Sequence, residues 1–245
     1  MTQYRRIYAI GDVHGNYNDL CTILAHIRAD RYDAMLDALV FLGDLVDSHG
    51  PADAAKVVKH VREVSEGYED VYVLRGNHEQ LLIDAQPEYK FSPYHQIWWQ
   101  QGGQYTYESY IKEYHYEPDT LSLLLDVPKQ FKSDVIWMKS LPTLIEIDDY
   151  YFVHAGLWPD RPAVDTNDYD RMWLRNNFLN SDYDWGKVVV HGHTSRKLPE
   201  VRPNRINIDT TKKAGRVSGV RLQEGKEPLF FDKYGSFPLE EGTER

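Results

Sequence analysis

Hydrophobic and polar positions along the chain fall into a recurring unit. A short apolar, β-rich run is followed by Gly, then polar residues, then a stretch with helical spacing. Arg6–Ile10 precedes Gly11-Asp12-Val13-His14-Gly15, and a helix is predicted from about Asn18 to Ala29. Ala38–Leu42 precedes Gly43-Asp44-Leu45-Val46-Asp47. Pro51 is then expected to open a helix, at a first-turn position where its missing N–H costs little. Val71–Leu74 precedes Arg75-Gly76-Asn77-His78-Glu79, with a short helix after it. Repeated strand–loop–helix units predict an α/β fold with a partly parallel sheet, in which ligands gather at the carboxyl ends of strands. All three polar motifs fall there.

From about Asp84 to Ser140 the pattern changes to an aromatic-rich, mainly helical one, broken at WWQQGGQYT. We read it as an insertion over the site within a single domain spanning residues 1–245, because the strand grammar resumes afterwards. Tyr150–Val153 precedes His154-Ala155-Gly156, Val188–Val190 precedes His191-Gly192-His193-Thr194, and Arg205–Ile208 precedes Asp209. The last strands are expected at Arg216–Leu222 and Pro228–Asp232, and the tail GSFPLEEGTER as frayed and solvated.

Composition narrows the function classes. A formal net charge of -10 argues against nucleic acid as a partner, since phosphate-backbone binding needs Lys and Arg in excess. Bound divalent cations nevertheless let an acidic protein handle an anionic substrate. No apolar run is long enough for a membrane helix, and the start lacks a signal-peptide core, so a cytoplasmic location is expected. The single Cys21 excludes an internal disulfide; it lies on the apolar side of a predicted helix and is expected to be buried and inert.

The candidate chemistry lies in the five polar motifs. Asp12 and His14, two apart just past a strand end, project to one side, and Gly on each flank permits the tight turn. With Asp44, Asn77, His154 and His193 they form a set of imidazoles, carboxylates and one amide, without thiolate. Such a set suits manganese, iron or zinc better than calcium or magnesium. One ion cannot use all these donors. Two ions sharing a carboxylate can, with Asp44 as the candidate bridge, and such pairs about 3.5–4 Å apart serve hydrolytic phosphoryl transfer.

The order GDxHG, GDxxD, GNHE, HAG, GHT resembles the calcineurin-like metallophosphoesterases, and LRGNHE resembles their phosphoprotein phosphatase group. WWQQGGQYT, SLPTLIEIDDYYFVHAGL and RMWLRNNFL are similar to segments of its bacterial and phage members, so the likeness runs from Tyr4 to about Leu222. The resemblance implies mixed β-sheets stacked as a sandwich and flanked by helices, with the active site at strand carboxyl ends. It implies that Asp12, His14 and Asp44 hold one divalent ion, and Asp44, Asn77, His154 and His193 a second, manganese being the first expectation and iron or zinc the alternatives. His78 would be the general acid, oriented by Asp47. Arg175 would grip the substrate phosphate beside Asn77. A metal-bound water would attack phosphorus. The implied activity is phosphomonoester hydrolysis, with a phosphorylated protein or small phosphoester as partner and Ser/Thr protein phosphatase as the main reading. Symmetric diadenosine tetraphosphate hydrolysis is the alternative, and a non-catalytic phosphate-binding domain a third reading.

One departure bears on substrate. The family's second motif continues Asp-Arg-Gly, with Arg clamping the phosphate, whereas this chain reads Asp47-Ser48-His49-Gly50. Arg75 is retained but is not the main clamp. Bland roles are expected elsewhere. His26, His60, His95 and His115 read as surface or helix-packing residues, and Trp98 and Trp99 as core. Asp209 reads as a loop cap or support for the site, and His191 as packing or support for His193.

Overall fold

The computed structural model describes residues 4–238, apart from 31, 32, 34, 86–91 and 120–125. Its strands form two mixed sheets. The first contains β1 (Arg6–Ile10), β2 (Asp37–Phe41), β3 (Val71–Val73), β9 (Gly219–Leu222), β10 (Leu229–Asp232) and β11 (Gly235–Phe237), in the order β11-β10-β9-β1-β2-β3. The second contains β4 (Leu144–Ile147), β5 (Tyr150–Val153), β6 (Val188–His191), β7 (Glu200–Arg202) and β8 (Arg205–Asn207), in the order β4-β5-β6-β8-β7. β1, β2 and β3 run parallel, as do β5, β6 and β8.

The alternation of side chains along each strand decides how the sheets stack. Ile7, Ala9, Ala38 and Val40 pack against Phe152, Val190 and Ile206 of the second sheet and Ile208 just after it. Tyr8, Ile10, Leu39 and Phe41 point the other way, onto Leu20, Ile23, Val57 and Val58 of helices α1 (Tyr17–Ala29) and α2 (Ala54–Gly67). All five residues of β1 are therefore buried, as expected of a strand covered on both faces. The far side of the second sheet is closed by Leu157, Phe178 and Trp185 around Val153 and Val189. Each fully buried Val, Leu, Ile or Phe of these layers contributes about 1.5–3 kcal/mol, which holds the two sheets in a fixed relation. That relation positions the site.

In sequence, between β3 and β4, the described chain is mainly helical: α3 (Asn77–Ala85), α4 (Pro93–Trp98), a π-helical turn at Trp99–Gly103, α5 (Gln104–Glu113) and α6 (Lys129–Ser140). Parts of the aromatic segment, 86–91 and 120–125, lie outside the described residues. Three short helices follow: α7 (Asp168–Trp173), α8 (Asn176–Leu179) and α9 (Thr211–Ala214). Among the described residues no helix is long and apolar enough to cross a membrane.

Several expectations need correcting. Pro51 does not open a helix: α2 begins at Ala54, and residues 51–53 belong to the preceding loop. The strand expected from Arg216 begins at Gly219, because α9 and the left-handed Gly215 occupy the approach. The start of the tail is not frayed, since residues 235–237 pair with β10 as β11, and residues 239–245 lie outside the described region. Cys21 is half-buried rather than core, with its Sγ 3.9 Å from His60 Nδ1.

Candidate metal centre

Each expected donor stands just beyond the carboxyl end of a parallel strand. Asp12 and His14 follow β1, Asp44 and Asp47 follow β2, and Asn77 and His78 follow β3. His154 follows β5 and His193 follows β6, so the two sheets bring their halves together at one place. The turns that do this are tight. Among the described residues seven non-glycine residues have positive φ, and His14, Asp44, Asp47 and His193 are four of them. Such conformations cost about 1–3 kcal/mol each and persist where the surroundings over-determine them. Two glycines admit the carboxylates. A Cβ on Gly192 would lie 2.1 Å from Asp12 Oδ1, and one on Gly76 would lie 2.2 Å from Asp44 Oδ1.

Second contacts fix the imidazoles. His14 Nδ1 donates to the carbonyl of Asp47 at 2.8 Å, and His154 Nδ1 to that of Leu42 at 2.8 Å. Each ring therefore turns its Nε2 inward, the arrangement that suits a ligand to a metal. His14 Nε2 lies 3.6 Å from Asp44 Oδ2 and 3.9 Å from Asp12 Oδ2. His154 Nε2 lies 3.3 Å from Asp44 Oδ2 and 2.9 Å from Asn77 Oδ1. His193 Nδ1 lies 2.8 Å from the same Asn77 oxygen.

These donors gather into two groups of three, His14–Asp44–His78 and Asp44–His154–His193, each with its ligand atoms within 4.8 Å of one another. Asp44 belongs to both, the position expected of a bridge. Asp12 lies outside both groups; its oxygens accept the His193 amide at 3.2 and 3.1 Å, and its Oδ2 is the one 3.9 Å from His14 Nε2.

The donor set fits cations. Among the described residues no Lys or Arg pairs with Asp12 or Asp44, although both carboxylates are buried. Burial and the neighbouring Asp209 push the Asp12 carboxyl well up. Asp44 is pulled the other way: burial raises it, but the charges of His154 and His78 outweigh burial and hold it well below the usual range. His193 Nε2 is buried without a partner. Unpaired buried charge and an orphaned imidazole nitrogen are what a pair of divalent ions satisfies. Manganese, iron and zinc all accept such donors.

His78 Nδ1 lies 3.1 Å from Asp47 Oδ2, and its ring meets that of His14 edge-on at 4.8 Å. Burial lowers the His78 pKa, but the charge of Asp44 and the bond to Asp47 outweigh it and raise the value to about 9. Arg175 is exposed at the edge, its Nη1 donating to Thr194 Oγ1 at 3.2 Å. Ser48 directs its hydroxyl to the carbonyl of Gly50, not outward. His191 is fully buried, edge-on to Phe178 at 4.9 Å, and burial pushes its imidazole down to about 3, which is a packing environment. Asp209 caps its own loop, accepting from Thr211 N at 3.0 Å, while its charge also acts on Asp12.

Sequence reasoning missed three residues here. Glu79, fully buried, accepts the amides of Asp44 and Gly76 at 2.8 Å each and that of Leu45 at 2.7 Å. Trp98 and Thr106, from the aromatic segment, both donate to Asp47 Oδ1, at 3.0 and 2.7 Å. For Glu79 the signal was present, an acid inside the GNHE motif; for the other two no local signal exists.

The profile of the calcineurin-like phosphoesterase family matches residues 5–218. The serine/threonine-protein phosphatase 1 of Salmonella typhimurium strain LT2 is 26% identical over 234 residues, covering 89% of this chain and 90% of that protein. The symmetrical bis(5′-nucleosyl)-tetraphosphatase of Aromatoleum aromaticum is 28% identical over 262 residues, covering 89% and 85%. The crystal structure of a cold-active protein-tyrosine phosphatase from a psychrophilic Shewanella superposes with a TM-score of 0.64 at 17% identity, covering 98% of this chain and 82% of that one. At that identity it speaks for the fold alone.

Proposed function

Since the chain belongs to the calcineurin-like phosphoesterase family, a metal-dependent class of hydrolase, we propose that it cleaves a phosphoanhydride of a dinucleoside polyphosphate, with His78 as proton donor. The observation that carries the reaction class is Asp44, common to two three-donor groups and 3.0 Å from the backbone N–H of His78. Two divalent cations sharing Asp44, with His78 left outside their ligands, would supply a water of lowered pKa and neutralise phosphate oxygens.

The chain's own residues do the rest. Asp12, His14 and Asp44 would hold one ion, and Asp44, Asn77, His154 and His193 the other. Arg175 would steady a phosphate oxygen from the rim, together with the amide of Asn77. His78, held through Nδ1 by Asp47, keeps Nε2 as the atom that delivers a proton to the leaving oxygen. Asp47 cannot swing away, because Trp98 and Thr106 occupy its other oxygen.

Substrate class rests on position 48. Without a guanidinium there, the ester loses a forked, charged contact, and the neighbouring space is open rather than filled. That arrangement favours a substrate with further phosphates to bind over a compact phosphomonoester. Several relatives named as symmetrical bis(5′-nucleosyl)-tetraphosphatases support it. A second reading, phosphoserine or phosphothreonine in a protein, draws support from His78, whose high pKa suits a poor alkoxide leaving group, and from the Salmonella relative.

The test is turnover of diadenosine tetraphosphate and of a phosphoserine peptide, side by side, with Mn²⁺. Faster turnover of the dinucleotide is expected, abolished by chelator and by Asp44→Asn. A faster peptide reaction would replace this reading with the second. Metal-independent turnover would remove the hydrolytic mechanism altogether.

A further inference from the structure

Beside His14 lies a cavity of about 480 Å³, walled by three separate segments: residues 14–18, 48–53 and 211–215. Of the expected ligands His14 lines it, and the His78 ring meets that of His14 at 4.8 Å, so a group leaving phosphorus beside His78 would have this cavity next to it. Its walls are mixed. Asn18 offers an exposed amide, and His49 and Lys212 stand on separate segments. The one carboxylate in the wall, Asp53, is engaged by Lys56 at 3.2 Å.

Lys212 is unusual in so acidic a chain. Its ammonium makes no ion pair or hydrogen bond among the described residues, although its backbone is firmly tied. Its N–H donates to Ser195 Oγ at 3.1 Å, and the preceding Thr211 hydroxyl donates to the carbonyl of Asp12. The short helix carrying Lys212 is thus fixed to the loop that carries a metal donor. His49 is close enough to feel the site: burial, and after it the charges of Lys212, His14 and His78, push its imidazole down. His49 thus offers a ring nitrogen and Lys212 an ammonium to the same cavity.

We propose that this cavity is a leaving-group subsite, in which Lys212 and His49 bind a phosphate one position beyond the bond that is cut. The occupant is a nucleoside diphosphate, its far phosphate on the ammonium. This deepens the substrate reading above and rests on it. It also assigns the missing cation: where position 48 has no charge, the charge is on a separate segment, displaced from the scissile phosphate to the next one. The trade discriminates between substrates, because a phosphoserine peptide has nothing to place there.

Calorimetric binding of ADP, adenosine and inorganic phosphate to the Mn²⁺-loaded protein tests this without turnover. ADP is expected to bind more tightly than either fragment. Lys212→Ala should weaken ADP by about 10-fold or more, the usual scale of one charge-assisted bond, and weaken inorganic phosphate less. Lys212→Arg should recover most of the ADP affinity, which separates charge from fold damage. Undetectable ADP binding, ADP affinity indifferent to Lys212→Ala, or equal losses for ADP and phosphate would overturn the subsite. If ADP binding depends on Lys212 but diadenosine tetraphosphate is not hydrolysed, the substrate reading falls and the subsite stands. Hydrolysis of the dinucleotide with Lys212-independent ADP binding gives the reverse.

Discussion

The indole Nε1 of Trp98 donates a 3.0 Å hydrogen bond to Oδ1 of Asp47, a residue 51 positions earlier in the chain. Thr106 completes the grip, donating through Oγ1 to the same oxygen and accepting the Asp47 N–H at 2.9 Å. All three residues are buried. With its first oxygen satisfied in this way, Asp47 has only Oδ2 to offer His78. The aromatic segment is therefore part of the acid's support and more than a cover over the site.

Trp98→Phe keeps most of the packing and removes one donor from a buried carboxylate. Bonds to charged groups are worth about 1.5–3 kcal/mol, so Asp47 should loosen measurably. With general acid catalysis contributing about 10²–10⁴-fold, a misplaced His78 should forfeit part of that. We expect kcat to fall more for an alkyl phosphomonoester than for p-nitrophenyl phosphate, whose leaving group departs unprotonated. Equal falls would mean that Trp98 acts through packing alone.

Glu79 accepts three short bonds from backbone amides, two from the Asp44 loop (Asp44 and Leu45) and one from Gly76 in the loop before Asn77. Glu79→Gln leaves the shape and replaces one acceptor by a donor that faces an N–H. The expected cost is about 3 kcal/mol, which corresponds to a drop of about 6–12 °C in Tm for a chain of this size. Mn²⁺ affinity should fall with it, because the loop positions a shared donor. Unchanged melting and unchanged Mn²⁺ binding would show that the backbone holds this loop unaided.

The pH dependence follows from His78. Its acid form is the donor, so proton-dependent turnover is present below its pKa and lost as pH rises through it. Asp44 and Asp47 raise that pKa to about 9 against burial. Cations at Asp44 cancel the larger of these supports, so the alkaline limb of kcat for an alkyl phosphate should lie below 9. Asp47→Asn should move it lower still. Profiles of log kcat against pH for alkyl and p-nitrophenyl substrates decide the point. A limb common to both and unmoved by Asp47→Asn would belong to another group.

What the sequence discloses here is local. Asp12 with His14, Asp44 with Asp47, and Asn77 with His78 lie two or three residues apart at most and directly after apolar runs, so spacing alone exposes them. His154 and His193 become legible only through the order of the motifs. Trp98 and Thr106 were invisible because their partner is distant and aromatic residues in a helical pattern ordinarily read as core. Pro51 misled for a physical reason: a proline suited to a first helical turn is equally suited to a loop. β11 escaped because a three-residue strand is made by its pairing with β10 rather than by its own pattern.

Asp12 accepts the amide of His193, 181 residues further on, and the donors divide between the sheets, with Asp44 and Asn77 on one and His154 and His193 on the other. During synthesis the early donors emerge long before the late ones. A chain interrupted before β6 has no way to assemble the Asp44–His154–His193 group, whatever the metal supply. The Asp44–His154–His193 group therefore exists only where both sheets are present and docked.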